Sequence, residues 1–164
     1  MDDLRPDRTA ITTVTALGSL LGHHGGDYLV QPDWCARHKQ QRTRTGRTAL
    51  AVHAATYALT QAVTKSVFYQ VAGARVPVIA QLAGAVAEGV LHAVIDDGSL
   101  LARFADMTGK RGFHDRAAGG VNGRMLLDQA AHHQLQIPAG TAVTVAVTLA
   151  VTARRARNNR RGVR

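Results

Sequence analysis

Histidine and aspartate side chains recur in this sequence at a spacing of four residues. The spacing occurs in the pairs His23–Asp27, His92–Asp96 and Asp128–His132. Side chains four residues apart share one face of a helix. Each pair therefore suits two ligands of a divalent metal ion, or a histidine held by an orienting carboxylate. Eight histidines and eleven acidic residues give roughly one such pair by chance, so three pairs are an excess.

The pairs lie in or beside segments with few charges, where an ionisable group needs a partner or a polar cavity. We therefore predict a polar cluster inside a helix bundle that binds a divalent cation and activates water, or relays protons. The candidate metal ligands are His23, Asp27, His53, His92, Asp96, Asp128 and His132. The candidate hydrogen-bond partners of those ligands are Gln31, Gln129 and Tyr57. An interhelical hydrogen-bond network that only fixes the packing is the alternative interpretation.

Four segments with almost no Asp, Glu, Lys or Arg predict the elements that position these residues. They cover residues 9–26, 48–64, 76–95 (interrupted only by Glu88) and 129–153. All four are rich in alanine, the best helix former, and their lengths lie near the roughly 17–25 residues that cross a bilayer as a helix. We predict helices over 9–31, 48–72, 77–97, 122–135 and 138–156. Alternating Thr and Val in residues 141–152 leaves a strand open for that segment.

Length and composition limit the class of protein. A chain of 164 residues fits one domain, and 46% hydrophobic residues exclude a disordered chain. The single cysteine, Cys35, excludes a disulfide framework. We predict an all-α fold, a small membrane-embedded bundle of four to five helices. It comprises an N-terminal extension (1–8), one bundle domain (9–153) and a basic tail (154–164). Because the segments are only marginally hydrophobic, a soluble Ala-rich bundle remains the alternative.

Basic residues are concentrated in two segments of a chain whose net charge is +9. Residues 35–47 hold five Lys or Arg, and residues 154–164 hold six Arg. Cytoplasmic loops of membrane proteins carry an excess of Lys and Arg. Four membrane spans would place the two basic segments on opposite sides of the membrane, unless residues 121–136 also cross or re-enter it. Clustered arginine also suits anionic lipid or nucleic acid, bound electrostatically. The candidate residues are Arg154, Arg155, Arg157, Arg160 and Arg161.

The chain resembles the bacterial family called the domain of unknown function numbered 3307, and is most similar to its actinobacterial members, some of them encoded near mobile elements. Residues 21–34 (LGHHGGDYLVQPDW) resemble the family's His-x-x-x-Asp-aromatic-x-x-Gln segment. Residues 53–57 (HAATY), 92–96 (HAVID) and 127–132 (LDQAAH, near the family's Asp-Gln-x-x-His motif) follow in the family's order. The resemblance implies a multi-helix membrane protein and no established activity.

From these observations we expect a membrane-associated helical protein of the cell inner membrane whose partners are membrane lipids. Its cofactor would be a divalent metal ion, and any enzymatic activity would be that of a metal-dependent hydrolase. The alternative is a cytoplasmic, basic protein that binds nucleic acid or assists transcription regulation for a mobile element.

Overall fold

The protein consists mainly of four long helical rods. Its structure is a computed structural model that describes residues 7–162. In chain order the elements are α1 (Arg8–His24), a first π-helical segment (Gly25–Val30), α2 (Asp33–His38), α3 (Arg44–Val71), α4 (Val78–Asp96), α5 (Ser99–Met107), α6 (Arg111–His114), β1 (Ala117–Ala118), β2 (Val121–Asn122), α7 (Gly123–Ala131), a second π-helical segment (His132–Gln136) and α8 (Ile137–Gly162). The two strands form one short antiparallel hairpin. The predicted all-α fold is therefore confirmed.

Side-chain contacts fix the directions of the long helices. The register of α1 against α3 follows from the pairs Gly18–Lys65, Gly22–Gln61 and Gly26–Tyr57. The register of α4 against α8 and the segment before it follows from the pairs Gly84–Thr144, His92–Gln136 and Asp96–His132. In both sets one residue number rises as the other falls, so neighbouring helices are antiparallel. The bundle therefore runs up, down, up and down.

Local signals in the sequence set the ends of these helices. The side chains of Asp7, Thr43 and Asn122 accept backbone N–H bonds in the first turns of α1, α3 and α7, as N-cap residues do. Gly98 follows α4 with a φ of 77°, a left-handed conformation that glycine adopts without steric cost. These caps place the basic loop after α1 and the region 97–122 at the same end of the bundle.

The interior of the bundle contains many polar side chains. Among residues 7–162, buried polar side chains outnumber buried apolar ones. The outward faces of α3 and α4 carry large apolar side chains, which include Val52, Leu59, Val63, Val67, Ile79, Leu82, Val86 and Val90. Thr144 and Thr148 of α8 face inward and bond to backbone carbonyls one turn earlier, at 2.9 and 2.8 Å. Such polar side chains are mostly exposed in soluble proteins, so this interior is unusually polar.

Two helices of the described chain are long and apolar enough to cross a membrane. They are Val78–Asp96, with a mean hydropathy of 1.7, and the continuous helical stretch Gly123–Arg161, with a mean hydropathy of 1.5. Length and composition therefore give only a weak indication of membrane insertion, because a buried core helix of a soluble protein has the same properties.

The structure differs from the predicted elements in three places. Residues 141–152 are helical, so the strand alternative is wrong. The predicted break before Pro138 does not occur, because the π-helical segment joins α7 to α8 and widens the backbone just where a proline would otherwise clash with the preceding turn. α8 also continues to Gly162, beyond the end at residue 156 that was predicted for the last helix. The short elements α2, α5, α6 and the hairpin were not predicted.

Candidate metal centre

The seven predicted ligands meet at one end of the bundle. They lie at the end of α1 (His23), in the first π-helical segment (Asp27), on α3 (His53), on α4 (His92 and Asp96), on α7 (Asp128) and in the second π-helical segment (His132). The side chains of the four histidines and of Asp96 are fully buried, and those of Asp27 and Asp128 are 5% and 12% exposed. We call these seven residues the His/Asp cluster. Groups distant in sequence therefore share one buried volume.

Four ligand atoms of the cluster lie close to the His53 and His92 imidazoles or belong to them. Nε2 of His53 lies 2.9 Å from Nε2 of His92, and both nitrogens lie 3.0 Å from Oδ2 of Asp96. Oδ1 of Asp27 lies 3.4 Å from the His53 nitrogen and 3.7 Å from the His92 nitrogen. Ligands placed tetrahedrally about 2.0–2.2 Å from one ion are about 3.3–3.6 Å apart. The two Asp27 distances lie close to this range, and the other three are shorter, so the two imidazoles and Asp96 would have to move apart slightly around a bound cation.

The second oxygen of Asp96 faces another group of ligands. Oδ1 of Asp96 lies 3.4 Å from Nε2 of His132, which in turn lies 3.5 Å from Oδ2 of Asp128. One carboxylate is therefore shared by two sets of ligands, an arrangement also used in sites with two neighbouring metal ions. The Nζ atom of Lys39 lies 2.8 Å from the same Asp96 oxygen and supplies one positive charge there.

Several ligand atoms have no hydrogen-bond partner among the described residues. Oδ1 of Asp27, Oδ2 of Asp96, Oδ1 of Asp128 and Nε2 of His132 are all buried in this state. An unsatisfied buried polar atom costs about 1–3 kcal/mol, and more when charged. The Asp27, Asp96 and His132 atoms of this set lie within 3.4 Å of other ligand atoms of the cluster, so a bound cation would satisfy them. The buried His/Asp groups can hold a metal ion.

Gln136 orients two of the histidines, and sequence reasoning missed it. Its side-chain oxygen contacts Nδ1 of His132 and lies 3.3 Å from Nδ1 of His92. Because an amide oxygen only accepts, it favours the tautomer in which each Nδ1 carries the proton and each Nε2 offers a lone pair to the cluster. The Gln136 amide nitrogen donates to the Tyr57 hydroxyl. Its spacing of four residues from His132 was the available signal.

The predicted hydrogen-bond partners also lie beside the cluster. Gln129 lies 3.0 Å from Nε2 of His23 and donates to Oδ2 of Asp27 at 3.2 Å. The Tyr57 ring stacks on the His92 ring with centroids 3.6 Å apart. With its amide oxygen turned toward the ammonium, Gln31 accepts a bond from Lys39 at 3.2 Å. His23 also meets the cluster directly, because its ligand atom and those of His92 and His132 all lie within 4.8 Å of one another.

Both π-helical segments lie at the cluster. The first contains Asp27 and the second begins at His132. An added Cβ at Gly26 would lie 2.8 Å from the Tyr57 ring, so the glycine allows the first segment to approach α3 closely. The paired glycines of this motif therefore continue the helix in widened form instead of ending it. Such segments are common at functional sites.

A second buried polar group lies deeper in the bundle. Nζ of Lys65 lies 2.8 Å from Oε2 of Glu88, and the Ser19 hydroxyl donates to Oε1 of Glu88 at 2.7 Å. A Cβ on Gly140 would lie 2.1 Å from Cγ of Glu88. This ion pair joins α1, α3 and α4, and its side chains are 4% and 1% exposed.

The predicted basic residues of α8 lie away from the cluster. Arg154, Arg155, Arg157, Arg160 and Arg161 are all exposed. Because α8 runs antiparallel to α4, its C-terminal end lies opposite the end that holds His92. No protein-family model, curated protein or solved structure matches the chain.

Proposed function

We propose that this protein is a membrane-embedded helical bundle that binds a divalent metal ion through its His/Asp cluster. The observation that carries the proposal is the convergence of buried ligand atoms: those of Asp27, His53 and His92 lie within 4.8 Å of one another, and Oδ2 of Asp96 lies 3.0 Å from both imidazoles. Burial and missing hydrogen-bond partners support it further, because the free energy of the empty site is raised by the same atoms that would bind the ion.

The outer surface supports the membrane location. Large apolar side chains cover the outward faces of α3 and α4, where lipid tails would replace water. At the end with the cluster, four exposed aromatic residues occur in the loops and short helices: Tyr28, Trp34, Phe104 and Phe113. Aromatic side chains are enriched at membrane–water interfaces. We infer that the cluster lies near one interface of the inner membrane.

The ligand set suggests the chemistry. Imidazole and carboxylate ligands together suit Zn²⁺, Mn²⁺ or Fe²⁺. When bound, such an ion supplies Lewis acidity and lowers the pKa of a water molecule, the chemistry of a metal-dependent hydrolase. The chain's own contribution is to orient the imidazoles through Gln136 and to bring Asp27 and Asp128 to the wall of an open cavity.

Metal binding tests the proposal directly. Protein purified in detergent and stripped with a chelator should bind Zn²⁺ or Mn²⁺ in equilibrium dialysis and unfold at a higher temperature with the metal present. Exchanging His92→Ala should weaken binding at least about 100-fold, because it removes a ligand and its hydrogen bond to Gln136. The matched control is His38→Ala, since His38 lies on α2 and bonds to the backbone oxygen of Trp34.

Equal binding by the His92→Ala and His38→Ala proteins would contradict the metal site. Wild-type protein that binds neither ion would contradict it as well, and this measurement does not depend on the folding of a variant. The membrane location has a separate test, in which the protein should stay in the membrane pellet after alkaline carbonate washing and leave it only with detergent. Release by carbonate alone would favour the soluble alternative.

The exposed arginines of α8 support a second role. Five arginines within eight residues form a cationic surface that suits acidic lipid headgroups or a nucleic-acid backbone. Such binding would be electrostatic and would weaken steeply as salt concentration rises.

A further inference from the structure

A cavity of about 430 Å³ opens beside the His/Asp cluster. Two cluster carboxylates, Asp27 and Asp128, form part of its wall, together with the cationic side chains of Lys39 and Arg124. We propose that this cavity binds the phosphate group of a phosphate monoester, and that it does so only when the cluster holds its metal ion. The inference deepens the proposed function and rests on it.

The charge of the cavity depends on the metal. Asp27 and Asp128 contribute two negative charges to the wall of the cavity, and Lys39 and Arg124 contribute two positive ones, so these four side chains carry no net charge. A divalent ion held by the cluster would add positive charge beside this wall. A phosphate monoester carries about −1.5 to −2 charges at neutral pH. The loaded site therefore attracts the phosphate more strongly than the empty site does.

The two cations are placed to contact phosphate oxygens. Lys39 uses one of its three N–H donors on Asp96, at 2.8 Å, and its side chain is only 13% exposed, so a phosphate would displace little water from it. Arg124 is exposed at the rim of the cavity and makes no ion pair with any residue between 7 and 162. Its planar guanidinium offers paired donors that match phosphate geometry.

One of the unpartnered cluster atoms belongs to a side chain in the wall of the cavity. The Asp27 side chain is 5% exposed, lines the cavity and leaves Oδ1 without a hydrogen bond. A metal ion held there would reach the cavity wall, where a phosphate oxygen can become a further ligand. The metal ion and the side chains of Lys39 and Arg124 would then contact the same phosphate group from two sides.

The position of the cavity suggests where the phosphate monoester comes from. Tyr28 and Met125 line it and are 52% and 45% exposed, and the apolar outer surface begins beside it with the 86% exposed side chain of Leu29. A lipid phosphate could place its headgroup in the cavity and its acyl chains along that surface. A soluble phosphate monoester would use the headgroup contacts alone.

Binding assays with defined ligands test the proposal. Detergent-purified protein would be titrated with dioctanoyl phosphatidic acid, glycerol 3-phosphate and dioctanoylglycerol, each with Mn²⁺ and with a chelator. We expect phosphatidic acid to bind only with Mn²⁺ and the phosphate-free dioctanoylglycerol not to bind. Tighter binding of phosphatidic acid than of glycerol 3-phosphate, by tenfold or more, would identify a lipid source, whereas equal affinity would identify a soluble phosphate monoester.

Substitutions at the cavity provide the second arm. Lys39→Met and Arg124→Gln should each weaken phosphate binding about tenfold, since each removes a charge-assisted contact. Arg103→Gln is the control, because Arg103 is exposed on α5 and does not line the cavity. Arg124 is also exposed, so its exchange should leave the fold intact.

Three results would overturn the inference. They are metal-loaded protein that binds neither phosphate compound, phosphate binding that is unchanged by chelation, and an Arg124→Gln protein with wild-type affinity. If dialysis shows that Mn²⁺ binds while phosphate does not, this inference fails and the metal site stands. If Mn²⁺ does not bind, the proposed function itself fails.

Discussion

Two histidines of the cluster share one acceptor, the side-chain oxygen of Gln136. Exchanging Gln136→Leu removes this acceptor and should weaken metal binding about 10–100-fold, because the imidazoles lose their orienting bonds. Gln134→Leu is the matched control, since Gln134 lies in the same π-helical segment and is exposed. Dialysis against Zn²⁺ measures the difference, and similar affinities for the two variants would refute the orienting role.

Outside the bundle, Arg42 and Asp97 form an ion pair that makes stability depend on pH. Hydrogen bonding by Arg42, aided by Ser99, lowers the pKa of Asp97 to about 2. A carboxyl whose pKa is lowered by folding stabilises the protein above its unfolded pKa, near pH 4, and this contribution is lost as the pH falls toward 2. In Arg42→Gln protein, the melting temperature should therefore fall less steeply between pH 4 and 2.

The control for this pH series is Arg37→Gln. Arg37 and Asp33 form a looser pair at 3.8 Å, with side chains 68% and 93% exposed, so solvent screens it strongly. Thermal unfolding followed by circular dichroism at several pH values compares the three proteins. An unchanged acid slope in Arg42→Gln would show that the ion pair does not affect folding.

The site could be predicted from spacing only for the paired ligands. A spacing of four residues indicates a shared helix face, and it therefore predicted that His92 and Asp96 lie together. Lys39 reaches Asp96 through the packing of separate elements, and so does Gln136 in its contact with His92. No local spacing encodes which elements meet. The convergence of all these side chains depends on the antiparallel register of four helices.

At the scale of elements, glycines set how closely helices approach. A Cβ at Gly84 would lie 1.9 Å from Oγ1 of Thr144, whereas nothing lies within 4 Å of a Cβ at Gly89. Gly84→Ala should therefore destabilise the protein by about 1–3 kcal/mol through overpacking of α4 against α8. Gly89→Ala, on the same helix, should be neutral or stabilise it by up to about 1 kcal/mol.

Thermal unfolding in one detergent would compare these two glycine variants. Equal melting temperatures would contradict the close packing of α4 and α8. A loss of metal binding in Gly84→Ala but not in Gly89→Ala would show that this packing also positions His92, two turns further along α4.

The long helices could be predicted because the alanine-rich segments with almost no charged residues are long and are clearly bounded by charged residues. Their continuity was harder to predict. A proline such as Pro138 usually marks a helix boundary. Here the π-helical segment before Pro138 accommodates the proline, and α7 and α8 form one continuous helical rod. The short helices α5 and α6 lie outside the alanine-rich segments, in a region where tertiary contacts decide the structure.

At the scale of the whole molecule, the basic end of α8 should be separable from the fold. Exchanging Arg154, Arg155, Arg157, Arg160 and Arg161 for Gln should change the free energy of unfolding by less than about 0.5 kcal/mol per residue, because all five are exposed. Binding to acidic vesicles or to DNA, measured by co-sedimentation at low salt, should fall sharply. Unfolding of this variant would show that the arginines stabilise the bundle.

If the bundle is embedded in a membrane as proposed, the pair of Lys65 and Glu88 constrains how the chain is made as well as how it is packed. The two residues are separated by 23 positions and by the turn between α3 and α4. A lysine at the centre of a bilayer costs about 2.5–3.5 kcal/mol in translocon-based measurements, so α3 alone would enter lipid with an uncompensated charge. We expect the insertion machinery to retain α3 until α4 has been synthesised, and to release both into the bilayer together as a hairpin.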